Sequence, residues 1–156
     1  MDVKLFRIDE RLIHGQVITG WLRVTGAKRI LILDDDVAKD ELSLQLFKMA
    51  SPPGVSVEAR SLEDGVKLLK EGEDIPSIVL FRTPIEAKAV HDAGIEMSNL
   101  NLGGIGNKPG RKHYNRNVNL SPEEEAALKE LSQSGVKIEV RMVPDYKAQK
   151  LEDIIK

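Results

Sequence analysis

The sequence predicts an α/β fold, a single open, mostly parallel twisted sheet of about seven strands with helices on both faces. Three observations carry that expectation. Short β-branched apolar runs alternate with amphipathic segments along the whole chain, the pattern of strands joined by crossover helices. The connections between them are short, which argues for a single domain over residues 1–156 and against a linker. Apolar residues make up 41% and charged residues 31% of the 156, a globular composition in a chain long enough to bury about 70% of its unfolded surface.

The elements follow in order. Strands are expected at residues 3–8, 29–33, 55–57, 78–81, 97–102, 118–120 and 136–140. Helices are expected at 16–24, 38–49, 62–70, 85–91 and 122–131, with a last one beginning at Tyr146. Ser61 with Asp64 reads as an N-cap and its third-position acid. Ser121, Pro122 and the Glu run after them read as cap, first-turn proline and dipole-favourable acids. Gly26, Gly72, Gly94 and Gly135 fall just past predicted helices, where left-handed caps are common. One long irregular stretch, 103–117, holds Gly103, Gly104, Gly106 and Gly110 among Lys108, Arg111, Lys112 and Arg116. Loops of this length in compact domains are often functional.

Composition also excludes. Net charge is -2, with 23 basic and 25 acidic residues interspersed, so no field suited to nucleic acid builds up. No apolar run approaches the roughly 18 residues of a membrane span, and the charged start Met1-Asp2-Val3-Lys4 is unlike a secretory leader. A cytoplasmic protein is expected. There is no cysteine, which removes thiolate chemistry and disulfides. The segment 103–110 lacks a dinucleotide fingerprint, and Pro109 stands where a P-loop needs Ser or Thr. His14, His91 and His113 are widely separated and form no ligand spacing with acids. No metal and no cofactor are expected, and His91 and His113 read as surface residues.

The informative segment is Arg7-Ile8-Asp9-Glu10-Arg11-Leu12-Ile13-His14-Gly15-Gln16-Val17, running from the first strand into the first helix. In open α/β sheets ligands bind at the carboxyl ends of strands. His14 would stand at a helix entrance, where unpaired amides and the positive dipole end attract an oxyanion. Gly15 leaves room beside the imidazole. Arg11 offers a planar cation for phosphate oxygens, and Asp9 either orients the ring or positions Arg11. Because phosphoryl transfer depends on positioning and charge stabilisation, this set is chemically sufficient. The bland reading is a capping histidine beside a solvated cluster of Arg7, Asp9, Glu10 and Arg11.

The same eleven residues resemble the signature of the IIB subunits of the mannose/fructose/sorbose family of the bacterial phosphoenolpyruvate-dependent sugar phosphotransferase system. The likeness continues through Asp34-Asp35-Asp36-Val37-Ala38-Lys39-Asp40, Met49-Ala50-Ser51-Pro52-Pro53-Gly54-Val55 and Asn101-Leu102-Gly103-Gly104, and so covers nearly the whole chain. It implies strand order 3-2-4-1-5-6-7 and a phosphotransferase whose histidine, matched to His14, is phosphorylated, with Nδ1 the ring nitrogen. It also implies partners: a IIA domain or subunit as donor, the IIC and IID membrane subunits, and a sugar acceptor. The protein would then associate with the inner face of the cell membrane through IIC and IID. With no room for a further domain in this sequence, IIA is expected elsewhere. Other IIB types use cysteine for this step, which fits its absence here.

The implied strand order sets the loops at Thr83 and at Gly103 and Gly104 beside His14. With Gly15 and Gln16, these are candidate phosphate-approaching positions. Their plainer reading is turn geometry for the glycines and an N-cap for Thr83. Lys4, Arg7, Arg23, Lys108, Arg111 and Lys112 are candidate rim charges for acidic partners. Residues 105–116 match no part of the family pattern. A homodimer stays open, its interface then aliphatic. The rival functions are a regulatory relay or binding module on the same fold, which takes label without making sugar phosphate, and a nucleotide-binding α/β enzyme, which predicts ATP affinity.

Overall fold

The structure, a computed structural model, describes residues 1–155. Its strands are β1 (Val3–Ile8), β2 (Arg29–Leu33), β3 (Ser56–Arg60), β4 (Ser77–Phe81), β5 (Asn99–Leu102), β6 (Lys112–Asn115), β7 (Val118–Leu120), β8 (Lys137–Val140) and β9 (Gln149–Lys150). Seven of them form one sheet in the order β3-β2-β4-β1-β5-β8-β9, and β6 and β7 pair separately as an antiparallel hairpin. Every pairing in the main sheet is parallel except β8 with β9.

The helices are α1 (Gly15–Thr25), α2 (Glu41–Ala50), α3 (Leu62–Glu71), α4 (Pro84–Asp92), α5 (Pro122–Gln133) and α6 (Leu151–Ile154). A parallel sheet covered on both faces needs strands that are apolar throughout. Arg29–Leu33 and Ser77–Phe81 are buried at every position. Leu31, Leu33, Val79 and Phe81 join Phe6 and Ile8 in a core with residues of α3, α4 and α5. Their alternates Ile30, Ile32, Ile78 and Leu80 face Ile18, Trp21 and Leu22 of α1. Each such side chain contributes about 1.5–3 kcal/mol by leaving water. Among the described residues no helix is long and apolar enough to cross a membrane.

Counted along the main sheet alone, the strand order is 3-2-4-1-5-6-7, as the resemblance implies. The membership differs. Residues 118–120, expected in that sheet, bond instead to β6. Val118 and Leu120 are buried in the same core as Leu102 and Val140, so hydrophobicity reports their burial and not their pairing partner. The seventh position belongs to Gln149–Lys150, inside the tract expected to be helical from Tyr146, and the helix starts only at Leu151. The helix expected at 38–49 is divided: Val37–Lys39 form a 3₁₀ turn, and Asp40 caps α2 by accepting from Ser43 N at 3.1 Å. Gly26, Gly94 and Gly135 are left-handed at φ 70°, 99° and 98°. Gly72 is not, its φ being -73°.

The caps fall where the sequence sets them. Ser61 accepts from Asp64 N, and Ser121 and Glu124 form a reciprocal capping box ahead of α5.

Candidate active site

The site is assembled by register. Ile8 lies opposite Phe81 on one side and Leu102 on the other, so β1, β4 and β5 end together and release their loops side by side. Backbone bonds then join those loops: Asp9 N donates to Phe81 O at 2.9 Å, Gly103 N to Ile8 O at 2.8 Å and Glu10 N to Gly104 O at 2.8 Å. The chain turns at Leu12, whose φ of 57° is left-handed, a conformation that costs a side-chain-bearing residue about 1 kcal/mol. Leu12 and Ile13 are 1% and 4% exposed. Their burial holds the turn and brings His14 back over Asp9.

His14 is the N-cap residue of α1, with extended φ of -143° and no side-chain bond to the helix. Its ring points the other way, with Nε2 2.9 Å from Asp9 Oδ2. Asp9 is fully buried. It also accepts from Arg7 Nη2 at 2.7 Å and from Arg11 N at 3.0 Å. Burial pushes the Asp9 carboxyl up, but the His14 bond, the Arg7 charge and the Arg11 amide outweigh it and hold the group below its ordinary value. Asp9 is therefore a carboxylate, which can only accept. The proton of that bond sits on His14 Nε2, and in the neutral ring the lone pair is left on Nδ1. No hydrogen bond engages Nδ1 among the described residues.

Arg7 is 1% exposed and makes the floor rigid. It donates to Asn101 Oδ1 and to Arg141 O, and lies 5.3 Å over the Trp21 ring. Burial lowers its pKa and the Asp9 charge opposes that shift. A Cβ at residue 103 would fall 2.4 Å from Arg7 Nη2, which explains Gly103.

Above this floor lies a cleft of about 400 Å³ lined by Asp9, Glu10, Arg11, His14, Gly104, Asn107, His113 and Arg116 among others. A hollow of about 480 Å³ at the opposite end of the sheet, between Met1, Leu5, Lys70 and Ile95, is larger. Its lining has no imidazole side chain. Among the described residues no three His, Asp or Glu side chains converge as metal ligands.

Among the sequence candidates, His14, Asp9, Arg11 and Gly104 share the cleft, and Arg11 is exposed. Gly15, at φ 40°, and Gln16 are exposed in the first turn of α1. Gly103 lies behind the cleft against Arg7, and Thr83 outside it, capping α4 by accepting from Ile85 N at 3.1 Å. From that loop Arg82 is the one that reaches over, donating to Glu10 O at 3.1 Å. Three supposed rim charges are corrected. Arg7 and Arg111 are buried, at 1% and 9% exposure, because Arg7 neutralises the buried Asp9 and Arg111 the buried Glu124. Lys4 belongs to the opposite end of the sheet.

Sequence reasoning missed what Arg111 does. It forks onto Glu124, with Nε to Oε1 and Nη2 to Oε2 both at 2.9 Å, and its Nη1 donates to Glu10 Oε1 at 2.8 Å and Gly106 O at 2.9 Å. Glu10 Oε2 accepts from Gly106 N at 2.7 Å. This network ties α5 and the glycine loop to the His14 loop. Burial pushes Glu124 up, and the Arg111 and Ser121 bonds bring it below its ordinary value. Burial lowers Arg111, and the two glutamates more than reverse that. Partners about a hundred positions apart leave no spacing signal; the only local hint is Glu124 at the third position of a capping box.

Fold and site define a class: a group-transfer protein on an open α/β sheet, with an imidazole at a helix entrance and an arginine beside it. Comparison with known proteins narrows that class. Residues 3–156 match the family described as PTS system sorbose subfamily IIB component. The sorbose-specific EIIB component of Klebsiella pneumoniae is 39% identical over 92% of this chain and 88% of its own. The mannose-specific EIIAB component of Escherichia coli K12 is 31% identical over 99% of this chain, which spans 49% of that longer protein. The crystal structure of the IIBSor domain of the Klebsiella pneumoniae sorbose permease superposes with TM-score 0.95 at 38% identity, covering 99% of this chain and 96% of the other. The chain belongs to the sorbose-type IIB family of the sugar phosphotransferase system, and so is a phosphotransferase component that relays a phosphoryl group to sugar.

Proposed function

We propose that His14 accepts the phosphoryl group of a phosphohistidine on IIA through Nδ1 and then donates it to a sugar hydroxyl presented by the IIC and IID membrane subunits. One observation carries this reading. Asp9 takes the Nε2 proton bond at 2.9 Å, which leaves Nδ1 as the ring's free lone pair and makes it the nucleophile. In the accepting step Nδ1 forms a bond to phosphorus while the donor's nitrogen–phosphorus bond breaks. Asp9, already ionised, stabilises the positive character the ring gains.

Arg11 holds the phosphoryl oxygens from the cleft, and the first amides of α1, at Gly15 and Gln16, lie at the positive end of the helix. The Escherichia coli relative named EIIAB supports a IIA partner for this chain. The same assembly puts the protein in the cytoplasm, at the inner face of the membrane.

The test is reconstitution with phosphoenolpyruvate, the general carriers and IIA. His14→Ala should take no acid-labile, alkali-stable label, and Arg11→Ala should label slowly with its fold unchanged. Label persisting on the His14→Ala protein rejects the assignment. Labelled wild type that forms no sugar phosphate with the membrane subunits would point to a signalling relay.

A further inference from the structure

We propose that His113 is the general base of the donating step, taking the proton of the acceptor hydroxyl as that oxygen attacks the phosphoryl group on His14. This rests on the reading of His14 as carrier. His113 lies on β6, in the hairpin that forms part of the cleft wall. Its Nδ1 is 2.9 Å from Asn119 Oδ1. Asn119 is 4% exposed, and its Nδ2 donates to Ile105 O at 3.0 Å. A carbonyl oxygen can only accept, so the amide's orientation is fixed: NH₂ toward Ile105, oxygen toward the ring. His113 Nδ1 must therefore carry the hydrogen, and the neutral ring keeps its lone pair on Nε2. No protein group engages Nε2 among the described residues.

The other bases of the cleft are occupied. Asp9 accepts from Arg7, Arg11 N and His14. Both oxygens of Glu10 are taken, by Arg111 and by Gly106 N. Arg11 and Arg116 are cations. Once His14 Nδ1 carries the phosphoryl group, His113 Nε2 is the remaining basic atom lining the cleft that no protein group engages among the described residues.

The step balances as follows. The hydroxyl oxygen bonds to phosphorus, the phosphorus–Nδ1 bond breaks with its electron pair returning to His14, and the hydroxyl proton passes to His113 Nε2. A phosphate ester, a neutral His14 and an imidazolium at residue 113 result, and the imidazolium then loses its proton to water. The accepting step involves no hydroxyl. A base at this position therefore serves one half-reaction and not the other.

That asymmetry is the test. The full chain carrying His113→Gln is labelled from phosphoenolpyruvate through IIA. It is then chased with vesicles bearing the transporter's membrane subunits, using sorbose, fructose and mannose as probe sugars. Labelling should stay within about twofold of wild type while sugar phosphate forms about 10²-fold more slowly, and added imidazole should restore donation to His113→Ala. Unchanged donation overturns the proposal, since the proton then leaves by another route. Equal slowing of both steps overturns it too, because the ring would then be holding phosphate or the hairpin. If wild type takes label and yields no sugar phosphate with any probe, the donor role of His14 fails and the proposal with it. If wild type takes no label, the failure lies with His14 as carrier.

Discussion

Asp9→Asn replaces one oxygen by a nitrogen of nearly equal size at a fully buried position, and its consequences separate into two measurable parts. The first is stability. Arg7, 1% exposed, loses the carboxylate 2.7 Å away, and stranding one member of a buried ion pair costs about 3–5 kcal/mol. Arg7 keeps Asn101 Oδ1, Arg141 O and the Trp21 ring, which favours the lower end, about 3 kcal/mol. For a domain of this size that lowers Tm by roughly 6–12 °C, within the reach of a protein stable by about 5–15 kcal/mol.

The second part is chemistry. An amide can turn its NH₂ toward Nε2 and so impose the tautomer with hydrogen on Nδ1, the nitrogen that must attack. Imposing the wrong tautomer in this way slows a histidine-dependent step by about 10⁴-fold in the serine-protease case, so phosphoryl uptake from phospho-IIA should fall by about 10³-fold or more. Scanning calorimetry reads the first part and rapid-quench labelling the second. Adding Arg7→Met removes the stranded charge and should recover part of the Tm while uptake stays slow. If Asp9→Asn labels at the wild-type rate, the argument from the Asp9 bond to Nδ1 is wrong.

The acid limb of stability follows from Asp9 and Glu124, both held below their ordinary values. A depressed carboxyl contributes stability above its unfolded pKa of about 4 and loses it as pH falls through the lower folded value. Denaturant midpoints should therefore hold near neutral pH and drop below about pH 4, and Glu124→Gln should be less stable at pH 7 with a shallower acid slope. An unchanged slope in Glu124→Gln counts against the Arg111 network as the source. Gly103→Ala tests the floor from behind: its Cβ would lie 2.4 Å from Arg7 Nη2, so the guanidinium must move, at a cost of about 1–3 kcal/mol. Uptake should slow with it, and a Tm and labelling rate matching wild type would show that Arg7 does not need this seat.

How much was legible in the sequence depended on the range of the interaction. Ser61, Thr83 and Ser121 act within three residues of themselves, and each cap is where its local signal put it. β2 and β4 announced themselves because burial on both faces leaves no polar alternation to confuse the reading. Strand pairing is non-local, and residues 118–120 went to the wrong sheet since the same apolar triplet satisfies the core in either place. At the site, Asp9, Arg11 and His14 lie within five residues on one turn and could be read together. Arg111 looked like a free rim charge because its carboxylates are 101 and 13 residues away. His113 is exposed, as expected, but its sequence surroundings do not say which ring nitrogen is free, since only Asn119, with its own amide committed to Ile105, fixes that.

The two imidazoles of the cleft share a design that bears on how a relay protein can serve two partners. Each ring is held from behind by a buried acceptor, Asp9 for His14 and Asn119 for His113, and each presents its opposite nitrogen without a protein partner. The ordering cost of the site is met during folding, in the left-handed turn at Leu12 and the buried Arg7–Asp9 pair, and not at each encounter. A docking partner then has no loop to organise and no tautomer to select, which favours fast exchange of the phosphoryl group through transient contacts. The acceptors differ in charge for a physical reason. A carboxylate behind His14 favours the cationic character of a phosphorylated ring. A neutral amide behind His113 brings no charge to that ring and, in its neutral form, leaves the lone pair on Nε2.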